Sequence, residues 1–426
     1  MAVHVIDEAK RCLNCKKPMC RQGCPIHTEI PKMIEAFKNN RLNEAGDLLF
    51  SNNPLSVICS LVCNHERQCE GHCVLGRKGS PVQISSIEHY ISDSCLDKLK
   101  IPCEPKRNQK AAVIGAGPAG LTIAVILAKL GYDITIFDAR EKIGGVLQYG
   151  IPEYRLPKTI LDRYRKKLAE LGIRFRPNTT IGGTLEIEDL FRDGYRSIFI
   201  GTGVWRPKKL GIPGESLGNV HFGLDYLCSP DSFELGENVA VIGLGNTAVD
   251  AARTALRHGV RNVTLYGRGT APKASEYEMA YAALDGAAVK YNKEPLEITD
   301  EGPVFRTVMR NEAGEITGYE EEPDARKADS VIIAISQGPK DKLVNTTPGL
   351  LSGENGLLLT DDAGHTTCPG VFAAGDVVKG ARTVVEAVAF SKKVAMSMHR
   401  YMEENARCQD STHSYVPTDF TQGYSG

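Results

Sequence analysis

A chain of 426 residues, 42% hydrophobic and 24% charged, has ordinary globular composition and room for roughly two to four domains, each with its own core. Its 51 Lys and Arg nearly balance 52 Asp and Glu, and the formal net charge of −1 leaves no electrostatic footprint for nucleic acid. The apolar runs over 121–130 and 331–335 fall short of the roughly 20 residues of a membrane span. The start of the chain lacks the apolar stretch of a secretory signal, so a cytoplasmic protein with no membrane partner is expected.

Residues 1–105 read as mainly helical and rich in loops, with the i, i+3, i+4 apolar spacing of short amphipathic helices at 34–37 and 42–50. Thirteen cysteines are unusual for such a chain, and eight of them fall between Cys12 and Cys73. Where thiols are kept reduced, that clustering reads as metal binding rather than disulfides. The runs are Cys12-x2-Cys15-x4-Cys20-x3-Cys24-Pro25 and Cys63-x5-Cys69-x3-Cys73, with Cys59 just ahead of the second. Two-cluster ferredoxins end a ligand run with Cys-x3-Cys-Pro, the last cysteine crossing to the other cluster. On that pattern Cys12, Cys15 and Cys20 hold one [4Fe-4S] cluster and Cys24 crosses to a second. Cys63 and Cys69 join Cys24, and Cys73 crosses back to complete the first. The second cluster is left one ligand short, to be supplied by Cys59 or by an oxygen ligand. Zinc also takes four-cysteine sites, but it carries no electrons, and the redox motifs downstream favour iron–sulfur. Cys95, Cys103, Cys228, Cys368 and Cys408 stand alone and read as ordinary thiols.

A polar linker over 106–110 leads abruptly into an apolar strand over 111–114, and from there strands and helices alternate as in a doubly wound α/β fold. Gly115-x-Gly117-x-x-Gly120 follows that strand and opens a helix predicted over 119–130. The first glycine permits a tight turn, the second lets the backbone approach a pyrophosphate, and the third lets helix pack on strand. The next strand, over 134–137, ends at Asp138, twenty-three residues past Gly115, where a carboxylate meets an adenosine ribose. Gly145 joins the candidate contacts of this first dinucleotide.

The device recurs. Gly243-x-Gly245-x-x-Ala248 follows a strand over 239–242 and opens a helix over 247–258. The same count lands on Tyr266 instead of an acid, with Arg268 just beyond. No carboxylate and a nearby arginine favour a 2′-phosphate, hence NADPH, with NADH the alternative. The acid-bearing site would then hold FAD. Two apolar strands ending in glycines support this: 198–203, with Gly201 and Gly203, and 371–376, with Gly375 and Asp376 placed to meet a flavin ribityl chain. A helix opening at Thr383 would turn its N-terminus toward the flavin. The flavin domain is therefore discontinuous, with the nicotinamide domain inserted into it. The expected division is a helical iron–sulfur domain (1–105), a first flavin segment (106–235), a nucleotide domain (236–330), and a second flavin segment with a polar tail after about Tyr401 (331–426). No catalytic side chain is named, because the cofactors carry the chemistry. A pyridine nucleotide–disulfide reductase would need a redox cysteine pair in these domains, and beyond Cys103 the cysteines are single.

Together these motifs resemble the small subunit of glutamate synthase. They are also similar to the N-terminal, electron-input part of dihydropyrimidine dehydrogenase and to the large subunit of NADH-dependent ferredoxin:NADP oxidoreductase. The resemblance runs from about Arg11 to Tyr401. It rests on Cys12 to Pro25, Val62-Cys63, Cys69-Glu-Gly-His-Cys73-Val-Leu-Gly76, the two glycine motifs, Gly150-Ile-Pro-Glu-Tyr-Arg-Leu-Pro157 and Ala374-Gly-Asp376. It implies an electron-input subunit that oxidises NAD(P)H through FAD and feeds single electrons through two [4Fe-4S] clusters to a catalytic subunit on a separate chain. It also implies Glu88 as the missing ligand, since relatives place a glutamine or glutamate there. One departure stands out: many relatives carry two adjacent arginines after the second Rossmann strand, and here the first is Gly267.

Overall fold

In the computed structural model, residues 4–412 are described. The side chains over 407–412, Cys408 among them, lie outside what is described, as do the tail over 413–426 and the first three residues. The last helix, Val384–Thr412, runs on past Tyr401 into the segment read as a polar tail.

The N-terminal domain is a helical cluster of Val5–Lys10, Met19–Gly23, Ile30–Lys38, Leu42–Asn52, Ser56–Val62 and Ile84–Leu96. Pro31 in the first turn of Ile30–Lys38 costs no hydrogen bond there. The apolar stripe of that helix (Ile30, Met33, Ile34, Phe37) packs against Leu49, Ile87 and Ile91. Cysteines sit mostly at the ends of these short helices: Cys24 follows Met19–Gly23 and Cys63 follows Ser56–Val62.

The first sheet is parallel, in the order Val371–Ala373, Tyr195–Ile200, Lys110–Ile114, Asp133–Phe137, Arg174–Arg176. Strand order reverses beside Lys110–Ile114, and in open α/β sheets the crevice outside the carboxyl ends at such a point receives ligands. The last helix covers one face, packing Val388, Ala395 and Met398 into the core that Leu121 and Val125 of the helix Pro118–Lys129 also enter.

The second sheet repeats the plan: Val220–Phe222, Ser330–Ile333, Asn238–Ile242, Asn262–Tyr266, Ala288–Lys290, all parallel. Its first and fifth strands in chain order place the inserted domain differently from the expected 236–330. Val220–Phe222 belongs to it, ahead of 236, and Ser330–Ile333 runs past 330. The two crossings between domains lie side by side, because Arg206–Pro207 pairs antiparallel with Gln337–Gly338. An antiparallel sheet of Lys293–Thr299, Gly302–Arg310, Ile316–Tyr319 and Asp324–Ala325 is added within the insert. Among the described residues, no helix is long and apolar enough to cross a membrane.

Candidate functional site

The carboxyl ends of both sheets open onto one cleft of about 1510 Å³. That exceeds the roughly 300–1,000 Å³ of a site for one small ligand. Gly115, Gly117, Asp138, Gly145, Gly201, Gly203, Asp376 and Thr383 line the wall on the side of the first sheet, and Gly243, Gly245 and Arg268 line the wall on the side of the second.

The glycines differ in what they do. Gly115 has φ +103, and a Cβ on it would lie 2.5 Å from the Gly201 carbonyl, so the two strand ends touch backbone to backbone. Gly120 is outside the cleft: a Cβ there would fall 1.9 Å from the Gly115 carbonyl, so it sets how closely the helix Pro118–Lys129 lies on its strand. Gly117 caps that helix, and a Cβ on it meets only Gly145 Cα, at 4.0 Å, leaving its exposed side to the cleft. In the second site Ala248, fully buried, plays the part of Gly120, while around Gly245 there is open space. Gly375, with φ +78, is pressed against Ala119.

Asp138 closes the first turn by accepting from the Ala116 amide at 2.6 Å and the Arg140 amide at 2.8 Å, and burial raises its pKa. Arg140, two residues on, was not read from the sequence. Its guanidinium sits 4.5 Å from the Tyr149 ring and 4.5 Å from the Trp205 ring, a cationic sandwich on the cleft wall. The signal for it was its place just past the ribose acid.

Thr383 and Glu386 form a capping box: the Thr383 amide and hydroxyl donate to the Glu386 carboxylate at 3.0 and 2.6 Å. Asp376 beside them is lifted to about 6 by burial, with the Arg382 amide opposing and Glu386 adding to the rise. A carboxyl near 6 when folded and about 3.9 when unfolded binds more protons in the folded state between those values. Stability of the FAD-free protein should therefore fall as pH rises through that window. Urea unfolding across it should show the slope, and Asp376→Asn should reduce it; an unchanged slope in D376N would assign the effect elsewhere, with Asp250, also raised to about 6, the next suspect.

On the nucleotide side, Arg268 is exposed and pairs with Glu294 at 3.3 Å. A Cβ on Gly267 would lie 2.2 Å from Leu244 Cδ1 and 2.5 Å from its Cγ, so a larger residue there requires the Leu244 side chain to move.

An ionic cluster joins the domains. Arg155 reaches from the flavin domain to Asp250 at 2.7 Å and Glu278 at 3.0 Å, and Glu278 also binds Arg253 at 2.7 Å. The Tyr154 ring lies under Arg253 and Arg257. On a second side Glu66, between Cys63 and Cys69, accepts the Glu276 amide at 2.8 Å at the start of the helix Glu276–Asp285.

The cysteines fall into two groups. The charges of Cys12, Cys15 and Cys73 act on Cys20, whose thiol burial pushes up to about 11. Cys24 and Glu88 act on Cys69, and Glu88 and Cys69 act on Cys63. Cys63 is raised first by its hydrogen bond with Cys59 and then by burial. Glu88 is buried, which lifts it to about 8 with help from the Glu70 charge. Both candidates for the open ligand position therefore adjoin Cys63. Among the described residues, no three His, Cys, Asp or Glu side chains converge as a cage for a single metal ion. Two sulfur-rich donor sets suit the chemistry of [4Fe-4S] clusters, and the glycine cradles suit dinucleotides. Val62, next to Cys63, lines the dinucleotide cleft.

Three profiles of known families match: "Dihydropyrimidine dehydrogenase domain II, 4Fe-4S cluster" over residues 2–99, "NAD(P)-binding Rossmann-like domain" over 113–158, and "Pyridine nucleotide-disulphide oxidoreductase" over 183–390. The glutamate synthase [NADPH] small chain of Halomonas elongata is 33% identical, over 93% of this chain and 90% of its own length. The chain belongs to the glutamate synthase small-chain family. This membership makes it an NAD(P)H-dependent oxidoreductase with FAD and [4Fe-4S] clusters, an electron-input flavoprotein. Another relative, the NAD-dependent dihydropyrimidine dehydrogenase subunit PreT of Salmonella typhimurium, is 30% identical over 95% of both chains. Of solved structures, Mycobacterium tuberculosis FprA in complex with NADPH superposes with a TM-score of 0.60, at 16% identity over 71% of this chain and 87% of FprA. That likeness is one of fold, and it covers less of this chain than the family relatives do.

Proposed function

We propose that this chain oxidises NADPH and delivers electrons, one at a time, through two [4Fe-4S] clusters to a catalytic subunit on a separate chain, of the glutamate synthase type. One observation carries the reading: Val62, which lines the dinucleotide cleft, is followed directly by Cys63 of the second cysteine group. Bound FAD supplies the conversion of a hydride into two single electrons, and bound clusters supply the route outward.

The chain's own residues bind and orient. Gly115 and Gly117 cradle the FAD pyrophosphate at the start of the helix that Gly120 seats on its strand, with Asp138 at the ribose. Gly145, Gly201, Gly203, Gly375, Asp376 and Thr383 enclose the rest of the flavin. Gly243 and Gly245 receive the nicotinamide dinucleotide at the start of the helix that Ala248 seats, with Arg268 at its adenosine end. Cys12, Cys15, Cys20 and Cys73 hold one cluster; Cys24, Cys63, Cys69 and Glu88 hold the other. The site of action is the cytoplasm.

A second reading, NADH as the donor, is favoured by the pairing of Arg268 with Glu294. An anaerobic visible spectrum with iron and sulfide analysis, titrated separately with each nucleotide, tests both. Flavin peaks over a broad brown absorbance, about eight irons per chain, and bleaching by NADPH at lower concentration than NADH are expected. The reverse preference overturns the NADPH assignment. A yellow protein with zinc and no sulfide overturns the cluster assignment, and a loaded protein that neither nucleotide bleaches marks a cluster-bearing scaffold without turnover.

A further inference from the structure

The last helix, Val384–Thr412, starts on the wall of the dinucleotide cleft and then packs against the helix Ser56–Val62 of the cysteine-bearing domain. About two turns in, Lys392 Nζ donates to Asn52 Oδ1 at 2.7 Å. Asn52 Nδ2 donates to Thr28 Oγ1 at 3.1 Å and to the Ile26 carbonyl at 3.2 Å. Thr28 is buried, and its Oγ1 lies 3.4 Å from Cys24 Sγ.

The directions in this chain are forced. An ammonium only donates, so Asn52 must turn its oxygen to Lys392 and its amide hydrogens to Thr28. The Thr28 oxygen then receives from Asn52, and its single hydrogen remains for the next acceptor. A cysteine that binds iron is a thiolate, and a thiolate accepts. We infer that Lys392, Asn52 and Thr28 form a polarised hydrogen-bond relay ending on the Cys24 sulfur, which makes the cluster that Cys24 would hold easier to reduce. Hydrogen bonds to cluster sulfurs and nearby charge are among the properties that set cluster potentials. A bond driven from behind by a cation is stronger than a neutral one. The relay draws electrons from the flavin toward the clusters, and it rests on the proposed assignment of Cys24 to the second cluster. Lys392 is a positioning residue here, acting through two others.

An EPR-monitored redox titration of the holoprotein tests it, with the signal that Cys24→Ser alters identifying the cluster. Thr28→Val removes the hydroxyl at nearly constant shape, and Lys392→Gln removes the charge. Each is expected to lower the midpoint of that cluster by about tenfold in its one-electron equilibrium, ~59 mV, while the flavin and the other cluster keep theirs. Lys392→Arg should restore most of the shift, and the double variant should match T28V alone, because the relay has one outlet. Should T28V fail to retain iron, K392Q carries the test from the far end. Unmoved midpoints in iron-replete K392Q overturn the relay. Absence of iron and sulfide from the unaltered chain overturns the proposed function instead.

Discussion

Replacing Gly120 by alanine is expected to yield a flavin-free, less stable protein, whereas the same change at Gly117 should yield a flavin-free protein of unaltered stability. The two positions are three residues apart in one motif, and the difference lies in what surrounds them. At Gly120 the new methyl would sit 1.9 Å from the Gly115 carbonyl and 3.0 Å from Val113 Cγ1, both inside the packed strand–helix junction. The helix must lift off the sheet, at a cost of about 1–3 kcal/mol or more for overpacking, and its amides leave the place where a pyrophosphate would bind. At Gly117 the nearest atom to the methyl is Gly145 Cα, 4.0 Å away, and the backbone φ of −79° suits any residue. That methyl projects only into the cleft. Flavin content by absorbance and denaturant unfolding of the apo-protein separate the two. A stable, flavin-replete G120A would show that the junction yields more easily than its contacts imply, and a flavin-replete G117A would move the pyrophosphate elsewhere.

Arg155→Met should cost about 3–5 kcal/mol, the penalty of leaving a buried charge without its partner. Asp250 is 6% exposed in its side chain and Arg155 13%, so water offers little replacement. Asp250 already sits near 6 because burial outweighs the stabilising guanidinium. Without Arg155 its folded pKa rises further above the unfolded value. The folded variant then holds a proton over a wider range, so its deficit against the parent should grow as pH rises above about 6 and shrink below. Adding Asp250→Leu to R155M should recover much of the loss, since replacing a buried pair by apolar groups is often neutral. Denaturant titrations at several pH values decide this. A deficit under 1 kcal/mol, or one that grows toward low pH, would mean the cluster is solvated in solution. Because the pair spans the two dinucleotide domains, R155M should also slow flavin reduction by NADPH.

The parts of the fold legible in the sequence were those where one residue type is dictated by backbone or by chemistry. Gly115 and Gly243 need positive φ at a strand end, and both were readable as such. The spacing of Cys12 to Cys24 and Cys63 to Cys73 suggests two crossed groups; the charges of Cys12, Cys15 and Cys73 act on Cys20, and those of Glu88 and Cys24 act on Cys69. The domain boundaries were harder to read. Val220–Phe222 is three residues long, half-buried and contains a histidine, so no period marks it as a strand. The antiparallel strands over 293–325 are mostly half-exposed and carry weak alternation. Contacts made across domains left no local trace at all. Arg155 was visible in a motif, but nothing in its neighbours names Asp250 as its partner. The Lys392–Asn52 pair joins positions far apart in the chain.

The last helix has one more consequence, for moving parts. Its start lines the cleft and its second turn grips the cysteine-bearing domain, and it lies along the helix of the first glycine motif. The inserted domain is linked to the rest through two strands lying side by side and is held further by the Arg155–Asp250 pair and the Glu66–Glu276 contact. Any swing of the nucleotide domain must part those two contacts, whereas the link between the cleft wall and the cysteine-bearing domain runs through one continuous helix.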